Sequence, residues 1–396
     1  MKARLASTIL FAAAAATVVI ATATRVPPDW KLAGVEAPAE RPPLSPDAWF
    51  SGKFAAATEP WIARKFGFRG FAIRLAHQLD WELFGNLPSP GGTAIDVGRD
   101  HWLYEHTYIR HYVRRYGMPQ EDADAFAARM ADLRVRLAAR GVALVVCLSP
   151  SKPAVYPEFL LERDRPPAKN MAKIPARDTL AAALERAEVP LVDCTTLLRE
   201  WKEVGSPALF PRNGTHWNAL AAQRCLAEIW RLAAIDAPGL PRLPPLAGFK
   251  MAPPLQTDSD LSALYNMVRY PYAEDAQPYP HLLSSANGVD ARPSRHRAKV
   301  LGVGDSFSFQ LADAMGRSDA VAEFRLLYYN KADYRFVWKE GERPRENDAA
   351  RARLGAIDPA TFNLDAAITD GGYNLVIVEL NDVFARQCAW GFANPN

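Results

Sequence analysis

Residues 142–150 read VALVVCLSP. The apolar run shows no alternation and stops at a proline, which predicts a strand buried on both faces. Directly before it, EDADAFAARMADLRVRLAARG (121–141) places apolar residues at helical spacing. That segment closes on Gly141, the residue type a helix end favours. The rhythm then repeats. ARDTLAAALERAEV (176–189) reads as a helix, PLVDC (190–194) as a strand and HWNALAAQRCLAEIWRLAA (216–234) as a helix. AKVLGVGDSFS (298–308) reads as a strand followed by a turn, and EFRLLYYN (323–330) and NLVIVEL (374–380) as further strands. Strands alternating with helices imply βαβ units, hence an α/β fold with a mostly parallel sheet covered on both faces.

The rest of the chain frames this unit. Its 396 residues are 49% hydrophobic and 23% charged, the composition of a globular protein. The formal net charge is +3, and no basic block interleaves with aromatics, so nucleic acid is not an expected partner. Residues 5–24, LASTILFAAAAATVVIATAT, carry no charge and follow Lys2 and Arg4. That length suits a membrane-anchor helix with its N-terminus held in the cytoplasm, and Ala21-Thr22-Ala23 also fits a cleavage site. Either reading exports the remainder. The expected organisation is 1–24 as signal anchor or signal peptide, 25–46 as a proline-rich linker, and 47–396 as the functional domain. Within that domain, 47–92 reads as a helical lead-in with two helices over 47–85, and 93–105 reads as a short hairpin. Residues 236–296 read as a long, proline-rich loop insertion able to shape a cleft. Cys147, Cys194, Cys225 and Cys388 show neither CxxC nor metal spacing, and no metal or cofactor is expected. Cys147 and Cys194 each end a predicted strand and could lie near each other.

In an open parallel sheet, ligands bind beyond the C-terminal strand ends. VLGVGDSFSF (300–309) puts Gly304-Asp305-Ser306 at such an end. A serine on a tight strand-to-helix turn exposes its hydroxyl, and nearby backbone N–H groups can bind an oxyanion. His216, in FPRNGTHWNA (210–219), is a candidate base at a helix start. Ser308 replaces the second glycine of a GxSxG elbow, so the motif is not that one. Asp305 reads better as the cap of its own turn than as a partner for histidine. Lys152 and Tyr156 follow the 142–150 strand; they either line the same edge or are a solvated lysine and a packed tyrosine. A Ser151/Lys152 dyad is disfavoured, since adjacent side chains on a loop rarely face each other.

Five segments in order resemble the SGNH-hydrolase-like domain of the alginate O-acetyltransferase (AlgJ/AlgX) family. They are WFSGKFAAATEPWIARKFGFR (49–69), IDVGRDHWLYE (95–105), SPSKPAVYPEFL (149–160), GTHWN (214–218) and GDSFS (304–308). The resemblance spans about residues 45 to 382. It implies a three-layer α/β sandwich, a periplasmic location with an inner-membrane anchor, and action on an exopolysaccharide. It also implies a membrane-bound O-acyltransferase as partner. By position it makes Ser306 the nucleophile and His216 the base.

The family's triad acid would fall where this chain has Gly214. Another carboxylate could then orient His216, or Asn213 or a backbone carbonyl could do so, giving a dyad. The remaining reading is a polysaccharide-binding or export-assembly module that keeps the fold without the chemistry. An acetyl esterase would use the same residues as a transferase. Trp102 and Trp217 could stack on sugar rings or lie in the core.

Overall fold

The structure, a computed structural model, describes residues 31–34, 43–65, 68–90, 94–245, 248–254, 256–273, 279–282, 297–318, 320–338, 350–358 and 361–392, besides Ala16 and Ile20. The chain divides into two compact units, one of Met1–Ile95 with Asp260–Glu274, the other of Asp96–Ser259 with Asp275–Asn396. Among the described residues no helix is long and apolar enough to cross a membrane. The segment read as an anchor, 5–24, lies outside the described residues apart from Ala16 and Ile20.

The smaller unit contains helices Pro46–Phe50, Lys53–Lys65 and Arg69–Phe84, the last ending at Gly85 with φ +68°. Three helices thus stand where the aromatic spacing of 47–85 predicts two. Part of the long insertion belongs to this unit for a visible reason. Arg74 donates to the Met267 carbonyl at 2.9 Å, His77 Nδ1 meets the Tyr265 carbonyl at 2.8 Å, and Asn266 Oδ1 accepts from Ala33 N–H at 2.8 Å. The insertion is therefore not one loop. Its Phe249–Ala252 and Tyr279–Leu282 also pair as antiparallel strands.

The larger unit is built on a seven-stranded sheet. In chain order its strands are β1 (Ala143–Ser149), β2 (Leu191–Asp193), β3 (Ala298–Gly304), β4 (Val321–Tyr328), β5 (Ala332–Val337), β6 (Ala350–Ala356) and β7 (Leu375–Asn381). Their spatial order is β6-β5-β4-β3-β7-β1-β2. The five from β4 to β2 are parallel, while β5 runs antiparallel to β4 and β6 antiparallel to β5. Neither antiparallel strand is evident in the apolar pattern. The β4–β5 turn has Tyr329 and Asn330 at φ +50° and +52°, the conformation usually marked by Asn-Gly, and here disguised by a tyrosine.

The main helices are α1 (His106–Arg114), α2 (Gln120–Ala138), α3 (Ala176–Arg186), α4 (Cys194–Glu203), α5 (Ala219–Asp236), α6 (Ser308–Ser318) and α7 (Leu364–Gly371). Strand β1 shows why two layers of helix are required. Every residue in it is buried. Ala143, Val145 and Cys147 join one core with Leu198 of α4, Ile229 of α5 and Leu311 of α6. Leu144, Val146 and Leu148 join a second core with Met130 of α2, Leu180 of α3 and Ile368 of α7. Alternate side chains point to opposite faces, so an apolar run of period one needs a helix layer on each side. At about 1.5–3 kcal/mol per fully buried aliphatic side chain, exposing either face would remove the stability of the domain. Cys147 and Cys194 meet inside the first core, with sulfurs 3.4 Å apart and both thiols free.

Close strand packing fixes Gly302 in β3. A β-carbon there would lie 2.6 Å from the Phe324 ring on β4. Gly302→Val should therefore lower unfolding free energy by about 1–3 kcal/mol through overpacking. Urea unfolding followed by circular dichroism checks this; an unchanged midpoint would contradict the packing argument.

Candidate active site

The parallel strands β1, β3 and β7 end side by side, and the residues just past them form the site. β3 stops at Gly304, where a β-carbon would meet Ser308 Oγ and lie 2.7 Å from Glu379 Oε2. Only a glycine lets the carboxylate of β7 come this close. Asp305 is fully buried. Its Oδ1 accepts from Phe307 N–H at 2.9 Å and its Oδ2 from Asn381 N–H at 3.0 Å. Its own N–H donates to Glu379 Oε2 at 3.0 Å. Glu379 further accepts from Ser149 Oγ at 2.6 Å and Ser308 Oγ at 2.8 Å. Two carboxyl groups thus tie three strand ends together.

Burial pushes both carboxyl pKa values up, and the charge of Glu379 pushes Asp305 further, well above the usual carboxylate range. Asp305 is pushed the further of the two, because Glu379 accepts from two hydroxyls and an amide, which favour its charged form. Asp305 therefore faces inward and caps the turn. Ser306 stands on the outer side of that turn, half-buried.

His216 reaches Ser306 from the 209–218 loop, with Nε2 2.8 Å from Oγ. The loop is pinned from several directions. Lys152 is 1% exposed, and its ammonium donates to the carbonyls of Leu103 at 2.7 Å, Arg212 at 2.9 Å and Gly214 at 2.9 Å. The same ammonium lies 4.8 Å from the Trp102 ring and 5.1 Å from the Tyr104 ring. A cation without bulk water is stabilised here by carbonyl dipoles and ring faces. Tyr156 is buried, its hydroxyl accepting from Leu209 N–H at 2.9 Å and its ring stacked on Trp102. Trp217 is 1% exposed; its indole N–H donates to the Phe307 carbonyl at 3.1 Å, joining the histidine loop to the serine turn.

Several sequence expectations are altered by this arrangement. His216 does not start the helix: Asn218 caps α5, accepting from Ala221 N–H at 3.0 Å, so the histidine sits on the preceding loop. Lys152, Tyr156, Trp102 and Trp217 are all buried and brace the loops, which leaves neither tryptophan an open face for a sugar. Ser151 donates to Asp382 at 2.8 Å while Lys152 turns to the carbonyl cage, so the two form no dyad. Asn213 is buried, and its side-chain oxygen has no hydrogen-bond partner among the described residues. Gly214 offers no side chain, and its carbonyl is taken by Lys152. Among the described residues no group of three histidine, cysteine or acidic side chains could hold a metal. Glu379, Ser149 and Ser308 are not singled out by motif reasoning. The available signal is the acid inside LVIVELN, since a carboxylate in a strand covered on both faces needs internal donors.

Residues 95–312, more than half of the chain, match the family model for the SGNH hydrolase-like domain, acetyltransferase AlgX. The chain belongs to this family. The probable alginate O-acetylase AlgJ of Pseudomonas aeruginosa is 31% identical over 209 residues, covering 52% of this chain and 48% of that protein. The probable alginate O-acetylase AlgJ of Pseudomonas fluorescens is 26% identical over 188 residues, covering 48% and 44%. The chain thus spans about half the length of the curated relatives it matches. The solved O-acetyltransferase domain of Pseudomonas putida AlgJ has a TM-score of 0.40 at 18% identity, covering 76% of this chain and 99% of that one. The solved Pseudomonas aeruginosa AlgX has a TM-score of 0.39 at 15% identity, covering 77% and 68%.

The raised Asp305 carboxyl makes a stability prediction with a defined sign. Burial and the neighbouring Glu379 charge hold it above its value in the unfolded chain, so this pair's contribution falls as pH rises. Asp305→Asn loses the acceptor for Asn381 N–H and should cost roughly 1–3 kcal/mol in acid. Because asparagine does not titrate, the gap to the parent protein should narrow as pH rises above the ordinary carboxylate range. Denaturant unfolding from acid to neutral pH checks it; a constant or widening gap would contradict the upward shift of Asp305.

Proposed function

We propose that this protein is a serine-dependent O-acetyltransferase acting on an exopolysaccharide. The observation that carries the proposal is the 2.8 Å contact between His216 Nε2 and Ser306 Oγ, past the C-terminal end of a central parallel strand. Membership in the family supports the reaction class, and the names of the relatives support a polysaccharide acceptor of the alginate kind.

In this reading His216 Nε2 removes the Ser306 proton as Oγ attacks the acetyl carbonyl of the donor. The tetrahedral oxyanion takes a hydrogen bond from the backbone N–H of Ser306 itself, the neighbouring N–H groups of Asp305 and Phe307 being held by carboxyl oxygens. Its collapse breaks the bond from acetyl to the leaving group, which takes the proton from His216. A polysaccharide hydroxyl then attacks the acetyl-serine and gives its proton to His216. The ester to Ser306 breaks, and Oγ recovers the proton. Asp305, turned inward, takes no part in the transfer; it shapes the turn. Lys152, Tyr156 and Trp217 hold the His216 loop in place, and Asn213 lies beside it. With Gly214 in place of the acid, the ring is set by its loop and by groups other than residue 214.

The proposal extends to place and partner. Residues 5–24 hold the catalytic unit on the periplasmic face of the inner membrane, or leave it soluble there after cleavage. A membrane-bound O-acyltransferase delivers the acetyl group across the membrane. Gly214 also favours a second reading, a polysaccharide-binding or export-assembly protein of the same fold, because loss of the orienting carboxylate from a triad costs orders of magnitude in rate.

The test is turnover of an activated acetyl ester with and without an oligosaccharide acceptor. The parent protein should release the leaving group and yield acetylated acceptor. Ser306→Ala and His216→Ala should each lose at least about 100-fold while keeping the parent circular dichroism spectrum. Hydrolysis alone, undiminished by acceptor, would make the protein an esterase. Unchanged turnover in Ser306→Ala would refute the nucleophile, and glycan binding without turnover in any form would establish the binding module.

A further inference from the structure

Beyond the ends of β1, β2 and β7 lies a second cavity, of about 210 Å³, whose lining includes neither Ser306 nor His216. Its walls come from α1 and the turn after it, residues 151–154, the start of α3, α4, and the residues after β7. Three buried polar atoms on these walls have no hydrogen-bond partner among the described residues: Thr195 Oγ1, Arg177 Nε and Asp382 Oδ1. Thr195 is only 2% exposed. A buried hydroxyl or guanidinium N–H left unsatisfied costs free energy, and its clustering with others around one void is the signature of an occupant.

The charges specify the occupant further. Arg177 is neutralised by Asp178 and Asp193. Arg115 and Arg199 differ. Arg115 Nε donates to the Lys173 carbonyl at 3.0 Å and Arg199 Nε to the Ala154 carbonyl at 2.7 Å. Neither has a carboxylate partner among the described residues, and both line the cavity. Two guanidinium groups, Arg115 half-buried and Arg199 exposed, each bonded to a neutral carbonyl, with a hydroxyl and a further N–H beside them, match the oxygens of a small anion. On the same wall Asp382 accepts from Ser151 at Oδ2, at 2.8 Å, and leaves Oδ1 for a donor on the ligand. A fully deprotonated ion such as sulfate does not supply that donor; a hydroxyl next to the anionic group does.

We infer that this cavity is a binding site for a small hydroxylated anion, its anionic group held by Arg115, Arg199, Arg177 Nε and Thr195, and its hydroxyl by Asp382. The anionic group is a carboxylate or a phosphate monoester. Binding involves no bond making and is independent of the Ser306 reaction.

Isothermal titration calorimetry of the full chain tests it, with D-glycerate, sn-glycerol 3-phosphate, glycerol and acetate as probes. At least one of the two hydroxylated anions should bind saturably, and at least tenfold tighter than both glycerol and acetate. Glycerate or glycerol phosphate as the tighter ligand identifies the anionic group. Thr195→Val, which keeps side-chain volume, and Arg115→Gln should each weaken that binding about tenfold with unchanged thermal unfolding. Ser306→Ala should bind like the parent, so failure of the acetyltransferase reading leaves this result intact. Absence of saturable binding by both anions, equal affinity for acetate, or binding indifferent to both cavity variants would overturn the inference.

Discussion

The structure depends on one buried carboxylate. Glu379 sits at the end of a strand covered on both faces and collects donors from Ser149, Ser308 and the Asp305 amide. An isolated ionised carboxylate in such a place would be prohibitively costly. Here every strand end that borders the site contributes to its solvation. Once those donors are fixed, so is the turn that follows β3. Gly304 must lack a side chain, Asp305 must point inward, and Ser306 is left facing out. The network cannot be half-made, because each unsatisfied member would cost as much as the bonds it loses.

A second constraint places the histidine. No side chain at position 214 can orient His216, yet its loop is held by a buried ammonium that gathers three carbonyls. Lys152 works as a rivet. Its charge is spent on backbone dipoles from two separate segments, and the Gly214 carbonyl is one of them. Trp217 then fastens this loop to the Phe307 carbonyl. The two halves of the dyad are brought to hydrogen-bond distance by braces that themselves touch no open surface. Preorganisation of this sort holds the histidine in place without a side chain at position 214.

The sequence displays the central parallel strands because burial on both faces leaves an apolar run with no other explanation. VALVVCLSP and AKVLGVGDSFS therefore mark β1 and β3 within a residue or two. It conceals β5, which is antiparallel, buried only in part and entered through a turn without glycine, and β6, which pairs antiparallel with it. Ser306 and His216 are legible as a pair only through their place in an ordered set of segments; the 2.8 Å contact between them is a tertiary fact. Lys152 is legible as a residue near the strand end, but its direction is not, since a lysine on a loop ordinarily seeks water. The carboxyl network is the least legible part. Its members are single residues on three strands, and nothing in their spacing along the chain brings them together.

The central claim is that Ser306 carries the acetyl group between donor and acceptor. Peptide mapping by mass spectrometry, after brief exposure of the protein to an activated acetyl ester and an acid quench, examines that step directly. One acetyl group should appear on the peptide containing Ser306, be absent from Ser306→Ala, and disappear from the parent protein when an oligosaccharide acceptor is added before the quench. Acetyl accumulating on another residue, or a Ser306 peptide that stays unmodified while the acceptor is acetylated, would contradict it.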